Sequence, residues 1–330
     1  MIDSPLFIVG CPRSGTNLLR DLLRSHPHLA FPGESHFIPE LYEGYGNPKN
    51  EREARRLAAR ILRVNWVRAW GLRLDPSAFA GDRSFREVVS RIYEEWARMQ
   101  NKTRWGDKTP HYVTKIPVLL QIFPSAKIIH IYRDGRDVAL SWLRMRFGPR
   151  NLFAAARAWK AMVSTGRRVG ATLPEETYLE VRYESLLGHP QETMKRVCMF
   201  IGEPFTEAVL RPTAARLPGR HPRLIGARGP GRPPASEILS ANVSKWKKDM
   251  SLSRRILFES VGGDLLQALG YETEGIARRI AMPERLLWEA DNLLKWTLIR
   301  VNTKGNHRLL ADYLTQKWAN LRHRLGAAVD

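Results

Sequence analysis

The sequence predicts an α/β domain of three layers, in which a central parallel sheet is covered by helices on both faces. Short apolar runs alternate with amphipathic helical patterns over the first two-thirds of the chain. This alternation is typical of a parallel sheet. The predicted strands are Leu6–Gly10, Ala126–Tyr132 and Thr177–Val181.

Helical patterns follow each predicted strand. A helix is predicted from Thr16 to Ser25, and residues 36–100 contain several helical segments with no clear strand. The other helical predictions, in chain order, are residues 134–146, 151–172, 183–201 and 251–270.

The chain divides into a main domain, residues 1–274, and a helical C-terminal extension, residues 275–330. Within the main domain, residues 36–100 are predicted to form a helical insert that helps to shape a binding pocket. Residues 215–235 are rich in Pro, Gly and Arg, which predicts a mobile loop; it is either a plain linker or a lid over an anionic ligand. The two amphipathic stretches within 275–326 are suited to packing on the domain or in a homodimer, or to peripheral contact with a membrane.

The chain is strongly basic, with a formal net charge of +20 and a pI near 10.4. This balance favours an anionic partner, although a solvated basic surface is an equally simple interpretation. Two cysteines do not form a disulfide framework, and no signal-like or membrane-spanning apolar run is present. We therefore expect a cytoplasmic protein, either free or peripheral to the inner face of the membrane.

The stretch FIVGCPRSGTNLL combines a strand, a Gly-x-x-x-x-Gly loop and the start of a helix. Such a loop directs backbone N–H groups and a helix N-terminus at phosphate oxygens, although an ordinary strand-to-helix turn has the same outline. The lysine of an ATP-binding loop is missing, because Gly15 is followed by Thr16 and Asn17. Arg13 places a guanidinium inside the loop instead, which suits an oxyanion.

A second cluster follows the strand that ends at Tyr132. Arg133 leaves the carboxyl end of this strand, where open α/β sheets bind ligands. Ser141 lies two turns into the following helix and can face the same crevice. An arginine and a hydroxyl at this place predict a second phosphate site, and two phosphates on one nucleotide indicate a 3′,5′-bisphosphate.

These motifs resemble those of sulfotransferases that use 3′-phosphoadenylyl sulfate (PAPS). CPRSGTNLL is similar to their 5′-phosphosulfate loop, IIHIYRDGRDVALSW to their 3′-phosphate motif and VRYESLLGHP to the segment that follows. The resemblance covers residues 5–271 and implies a P-loop-like fold. GESHFIPELY and NVSKWKKDMS resemble the protein-tyrosine sulfotransferases and their bacterial relatives most closely. Asn17, where those enzymes usually have a second threonine, and the lack of a luminal anchor are departures.

The resemblance implies roles for individual residues. Glu34 corresponds to the catalytic base, and Lys108 and Arg13 correspond to the cations at the leaving group. The implied donor-binding residues are Arg13, Ser14, Gly15, Thr16, Asn17, Arg133, Ser141, Tyr183, Ser244 and Lys245. No metal is expected.

Each of these assignments has a simpler structural alternative. Glu34 could favour a helix N-terminus, and Lys108 could belong to a turn before a helix. Ser244 could be an N-cap beside a solvated Lys245, and Tyr183 a core aromatic. The general base could also be a histidine, either His36 or His111. Glu34 could accept the acceptor's proton if burial raises its pKa.

The predicted reaction is an in-line transfer of a sulfuryl group from PAPS to a hydroxyl, releasing adenosine 3′,5′-bisphosphate. The acceptor is a phenol, a sugar or lipid alcohol, or a peptide tyrosine. Three alternatives stay open: a P-loop kinase for a small molecule, a basic nucleic-acid-binding protein, and a donor-binding fold without catalysis. The missing lysine speaks against the kinase, and no nucleic-acid motif is recognisable, so no nucleic-acid partner is expected.

Overall fold

A five-stranded parallel sheet forms the centre of the protein. The computed structural model describes residues 4–79, 81, 84–145, 147–211 and 243–302, without the side chains of residues 298–302. The strand order is β2-β3-β1-β4-β5, and every described pairing is parallel. The strands are β1 (Leu6–Val9), β2 (Leu29–Ala30), β3 (Arg104–Lys108), β4 (Lys127–Tyr132) and β5 (Tyr178–Arg182). The predicted α/β architecture with a central parallel sheet is confirmed.

Helices cover both faces of this sheet, and four of the described ones begin at a side-chain cap. Asn50, Asp134 and Asn151 accept hydrogen bonds from backbone N–H groups of the first turn, and Ser84 forms a capping box with Glu87. The helices are α1 (Thr16–Arg24), α2 (Ile38–Tyr45), α3 (Glu51–Leu62), α4 (Asn65–Arg68), α5 (Phe85–Met99), α6 (Ile116–Ile122), α7 (Gly135–Leu143), α8 (Leu152–Gly170), α9 (Tyr183–Gly188), α10 (Pro190–Ile201), α11 (Trp246–Asp249), α12 (Leu252–Ala268) and α13 (Met282–Asn302).

The alternation of side chains along β1 divides the core between the two faces of the sheet. Phe7 and Val9 pack with the helices of residues 36–100, whereas Leu6 and Ile8 pack with α1 and α10. All four are fully buried, as expected of a parallel sheet with helices on both faces. A third cluster joins α7, α8 and α12.

Strand β3 is absent from the sequence prediction, which allowed only a turn before a helix at this place. All five residues of RWGDK are buried, although three of them are charged. Arg104 contacts Glu203 at 3.2 Å, and Asp107 accepts a hydrogen bond of 2.7 Å from Tyr93. The prediction was wrong because distant partners compensate these charges, so the strand lacks the apolar pattern of a buried strand.

The C-terminal helix α13 docks on the start of α8. The Asn151 side chain donates to the carbonyl oxygen of Trp288 at 2.6 Å, and the backbone N–H of Arg150 donates to Asn292 at 2.7 Å. The side chains of Leu286, Leu287, Leu293 and Leu294 stay exposed. A homodimer and peripheral membrane contact through this region remain predictions.

Two predicted segments lie outside the described residues: the loop at 215–235 and the second amphipathic stretch, after residue 302. The division into domains at residue 274 is likewise still a prediction. None of the described helices combines the length and the apolar character needed to cross a bilayer.

A buried guanidinium, that of Arg136, joins the start of α7 to the C-terminal part of the main domain. It donates to both carboxylate oxygens of Asp134, at 3.0 and 2.8 Å, and to Glu259 at 2.9 Å. It also donates to the carbonyl oxygen of Glu272 and lies 3.4 Å from the ring centroid of Trp246. The carboxylates of Asp134 and Glu259 are therefore both buried and both paired with the same guanidinium.

Replacing Arg136 by Ala is expected to lower the free energy of unfolding by about 3–5 kcal/mol, because Asp134 and Glu259 would stay buried without a cation. Urea denaturation measures this loss. The control is Arg144→Ala, because Arg144 is 69% exposed in its ion pair with Asp249 and its loss should cost under about 1 kcal/mol. Equal losses in the two variants would show that the buried network does not hold these segments together.

Candidate active site

The loop between β1 and α1 requires glycine at both ends. Gly10 has a φ of +151°, and a Cβ at this residue would lie 2.2 Å from the carbonyl oxygen of Ile131. Gly15 has a φ of +96°, and its Cβ would lie 2.2 Å from the ring of Tyr183. The loop is therefore pressed against β4 on one side and against Tyr183 on the other.

The first contact between the two predicted phosphate motifs is a hydrogen bond from Arg13 to Ser141. Arg13 Nε donates to Ser141 Oγ at 3.0 Å, over a sequence separation of 128 residues. Ser14 is fully buried, and its hydroxyl oxygen has no hydrogen-bond partner among the described residues. Thr16 and Asn17 open α1, whose first turn carries no acidic residue. An unsatisfied buried hydroxyl and a helix N-terminus free of carboxylates suit an anionic ligand.

The second motif lies on the other side of Tyr183. The guanidinium carbon of Arg133 is 4.6 Å from the ring centroid of Tyr183, and Arg133 donates to Asp137 at 2.9 Å. Asp137 also accepts a hydrogen bond of 2.9 Å from the backbone N–H of Trp246. Tyr183 therefore contacts both the loop and Arg133, and Asp137 ties Arg133 to the segment at 246.

Two predicted donor residues, Ser244 and Lys245, come just before Trp246. Both side chains are exposed, and Ser244 has a φ of +56°. Within the described part of the chain, neither side chain bonds to another predicted site residue. Because Asp137 binds both Arg133 and the backbone N–H of Trp246, Ser244 and Lys245 lie on the Arg133 side of the site. Their role stays a prediction.

The predicted catalytic pair, Glu34 and Lys108, is in direct contact. Lys108 ends β3 with only 1% of its side chain exposed, and its Nζ donates to Glu34 Oε1. The other carboxylate oxygen lies 2.7 Å from His36 Nε2. His36 has a ring contact with Trp66 at 4.9 Å and with His111 at 6.3 Å, so both alternative bases belong to the same site.

The pKa of Glu34 depends on its burial and on two neighbouring side chains. Burial raises the pKa of the carboxyl, as expected, but the charge of Lys108 and the hydrogen bond of His36 outweigh it and hold the pKa well below the usual range. The condition for a strongly basic Glu34, a pKa raised by burial, is therefore not met in this arrangement. Burial in turn lowers the pKa of Lys108. Glu34 is ionised at neutral pH, and its basicity is weakened by the cation.

All these groups meet at the carboxyl edge of the sheet. Ile8 of β1 pairs with Lys108, and the N–H of Gly10 donates to the carbonyl oxygen of Pro110 at 3.0 Å. Arg133 follows β4 directly, and Tyr183 follows β5 directly. The ends of neighbouring parallel strands lie at one edge, which places both phosphate motifs and the Glu34–Lys108 pair around one crevice.

Sequence reasoning missed three residues that organise this crevice. Asp137 accepts hydrogen bonds from Arg133 and from the backbone N–H of Trp246, and Arg136 lies over the Trp246 ring. The third residue, Trp70, lies against the chain at Gly33. The four-residue spacing between Arg133 and Asp137 was a visible signal for an ion pair on a helix. Nothing in the sequence pattern indicated that Trp70 reaches Gly33.

One cluster outside the crevice has the composition of a metal site. Ligand atoms of His26, His28 and Glu203 lie within 4.8 Å of one another. They have protein partners already, because His26 Nε2 lies 2.9 Å from the carbonyl oxygen of Pro204 and Glu203 lies between His28 and Arg104. The cluster is near the amino ends of β2 and β3, and these contacts give it a structural role.

Comparisons with known proteins agree with this geometry. A sequence profile described as the sulfotransferase family matches residues 5–207. The chain is 26% identical to protein-tyrosine sulfotransferase A of Caenorhabditis elegans over 67% of this chain and 53% of that protein. It is 25% identical to protein-tyrosine sulfotransferase 1 of Danio rerio, over 86% of this chain and 77% of that protein. The chain thus spans about half the length of the worm relative.

Solved structures support the same fold. The sulfotransferase domain from the curacin biosynthetic pathway superposes with a TM-score of 0.58 at 22% identity, covering 82% of this chain and 98% of that domain. At this identity the likeness concerns the fold alone.

The pKa of Glu34 provides a direct test of its contact with Lys108. NMR titration of ¹³C-labelled glutamate should place Glu34 below the usual value of about 4.3, so the ion pair stabilises the fold above that pH and loses this effect as the pH falls towards the lowered pKa. In Lys108→Met the pKa should rise, because burial stays and the cation is gone. Lys115→Met, which breaks the exposed Lys115–Glu43 pair, is the control. An unchanged Glu34 titration in Lys108→Met would refute the assignment.

Proposed function

The chain belongs to the sulfotransferase family, and we propose that it transfers a sulfuryl group from PAPS to the hydroxyl of an acceptor. The observation that carries this proposal is the contact of Arg13 with Ser141, which joins two phosphate motifs at one crevice. Glu34 and Lys108 lie at the same edge of the sheet. A single phosphate motif would suit many nucleotides, whereas two motifs in contact favour a nucleotide with separate 5′ and 3′ phosphates.

The proposed donor site has two parts. The loop formed by Arg13, Ser14, Gly15, Thr16 and Asn17 would hold the 5′-phosphosulfate through its N–H groups, the buried Ser14 hydroxyl and the guanidinium. Arg133 and Ser141 would hold the 3′-phosphate. Tyr183, which lies between the two motifs, would pack against the nucleotide. Ser244 and Lys245 would reach the donor from the segment that Asp137 anchors.

The proposed chemistry is a displacement at sulfur. The acceptor oxygen forms a new bond to sulfur while the bond from sulfur to the bridging oxygen breaks, and the bisphosphate leaves with that electron pair. Glu34 accepts the hydroxyl proton of the acceptor. Lys108 and Arg13 donate hydrogen bonds to the bridging region, where negative charge develops.

The contact between Glu34 and Lys108 implies an order of steps, in which the donor binds before Glu34 becomes an effective base. Without donor, Lys108 suppresses the basicity of Glu34. When Lys108 turns to the leaving oxygen, Glu34 loses its nearest cation, and its pKa rises towards the value that burial favours. The base therefore becomes effective only when the donor is bound.

Residues of the 36–100 insert support its proposed place beside the acceptor. Trp66 contacts His36, which is hydrogen-bonded to Glu34. The buried Trp70 Nε1 has no hydrogen-bond acceptor among the described residues, and it lies 3.1 Å from the position of a Cβ on Gly33. Two indoles of the insert thus lie against two neighbours of Glu34, the preceding residue Gly33 and the hydrogen-bond partner His36.

Calorimetry with adenosine 3′,5′-bisphosphate tests the donor site. We expect binding without metal and no comparable binding of ATP–Mg²⁺. In Arg133→Ala the Kd should rise roughly ten- to hundredfold, because one charge-assisted contact to the 3′-phosphate is lost. Arg91→Ala serves as the control, since Arg91 lies in the insert and donates to the carbonyl oxygen of Ala78. No bisphosphate binding by folded wild-type protein would refute the proposed function.

Activity measurements distinguish the candidate bases. Glu34→Gln should lower kcat by about 10²–10⁴ while bisphosphate still binds, because the proton acceptor is lost and the proposed donor-binding residues are unchanged. Glu43→Gln is the matched control, with Glu43 paired to Lys115 on the surface. Full activity of Glu34→Gln together with an inactive His36→Ala or His111→Ala would assign the base to a histidine.

A further inference from the structure

A groove between α8 and α13 is not used by the donor site. Its volume is about 1050 Å³, slightly above the range of about 300–1000 Å³ that is usual for cavities that bind small ligands and cofactors. We propose that this groove binds the acceptor, and that the acceptor is an elongated amphipathic anion with a hydroxyl group at one end. This inference rests on the proposed sulfuryl transfer and adds the substrate class.

The shape of the groove indicates an elongated ligand. Its floor is one face of α8, with lining residues repeated at three- and four-residue spacing from Ala154 through Ala158, Ala161 and Thr165 to Arg168. At the helical rise of about 1.5 Å per residue, this face is about 21 Å long. Helix α13 forms the opposite wall through Asn292, Leu293 and Trp296.

One end of the groove leads to the proposed base. His111 lines the groove, and its ring lies 6.3 Å from that of His36, which contacts Glu34 at 2.7 Å. The turn carrying His111 packs on the C-terminal half of α8, because a Cβ on Gly166 would lie 2.6 Å from Val113. An acceptor lying along α8 can therefore extend its terminal hydroxyl past His111 towards Glu34.

The walls of the groove indicate the chemistry of the remainder of the ligand. Four of the lining side chains are cationic and outnumber the two carboxylates paired with them, those of Glu289 and Asp264, so the groove carries an excess of positive charge that favours an anion; the cations are Arg150, Arg157, Lys160 and Arg168. Arg157 is already paired with Glu289, and Lys160 lies 2.8 Å from Asp264.

The end of the groove away from His111 is largely apolar. It is lined by Trp142, Phe147 and Leu293. Trp142 is 3% exposed, and its Nε1 has no acceptor within the described part of the chain. An apolar segment of the ligand fits this end, the anionic group fits the cations along α8, and the hydroxyl faces His111.

The test compares a matched pair of ligands: an N-acylated serine, in which the carboxylate lies between the terminal hydroxyl and the acyl chain, and its neutral primary amide. Calorimetry on the full chain saturated with adenosine 3′,5′-bisphosphate should show at least about tenfold tighter binding of the acid, since one charge-assisted contact has this magnitude. Labelled PAPS should then transfer its sulfuryl group to the acid in preference to the amide. Equal binding of the two ligands, or no binding of the acid, would overturn the inference.

Two variants locate the site. Arg168→Gln should weaken binding of the acid about tenfold and leave the amide unchanged. Arg167→Gln is its control, because Arg167 is the neighbouring residue on α8 and pairs with Glu180 outside the groove. Ala161→Trp should fill the groove and abolish binding of both ligands while bisphosphate affinity is retained.

Other outcomes separate this inference from the proposed function. Normal bisphosphate binding with transfer to a simple phenol, but no effect of Arg168→Gln or Ala161→Trp on the acid, would overturn the groove assignment alone. The groove assignment alone would also be overturned if the protein sulfated only an acidic tyrosine peptide and Ala161→Trp did not change that activity. Loss of bisphosphate binding and of all transfer in the wild-type protein would overturn the proposed function itself.

Discussion

The candidate site depends on the buried guanidinium of Arg136. It binds both oxygens of Asp134, the N-cap of α7, and thereby holds the turn that carries Arg133. The same guanidinium contacts Glu259 in α12 and stacks on Trp246. Because a buried cation and its carboxylates stabilise the fold only as a complete set, this network fixes the relative positions of segments far apart in the chain. The position of Arg133 at the crevice is therefore set by contacts within the protein itself.

The 5′ side is organised by close packing, and the catalytic pair by charge. Gly15 and Tyr183 are in contact through a space that admits no Cβ, so the loop and the tyrosine determine each other's position. Glu34 and Lys108 form an ion pair that makes the carboxylate a weak base. A donor that attracts Lys108 would release this restraint. One ion pair can thus couple donor binding to the activation of the acceptor and limit unproductive transfer to water.

The groove along α8 connects these elements to the C-terminal helix. It begins at His111, whose ring lies 6.3 Å from that of His36, and runs between α8 and the opposite wall formed by α13. Asn151 and Arg150 anchor that helix to the start of α8. Helix α13 therefore completes a cavity, while its described leucine side chains outside the cavity lining stay exposed.

The sequence alone predicted the strands β1, β4 and β5 and most helices, because local periodicity encodes these features. Glycine spacing predicted a phosphate loop, whereas the roles of Glu34 and Lys108 come from the family resemblance and stay predictions. The sequence did not determine β3, whose buried charges are compensated by Glu34, Tyr93 and Glu203 from distant segments. Nor did it determine the pKa of Glu34, since that pKa depends on a lysine 74 residues away. Only the tertiary structure decided these points and the groove beneath α13, because charge compensation and cavities arise from residues that meet only when the chain is folded.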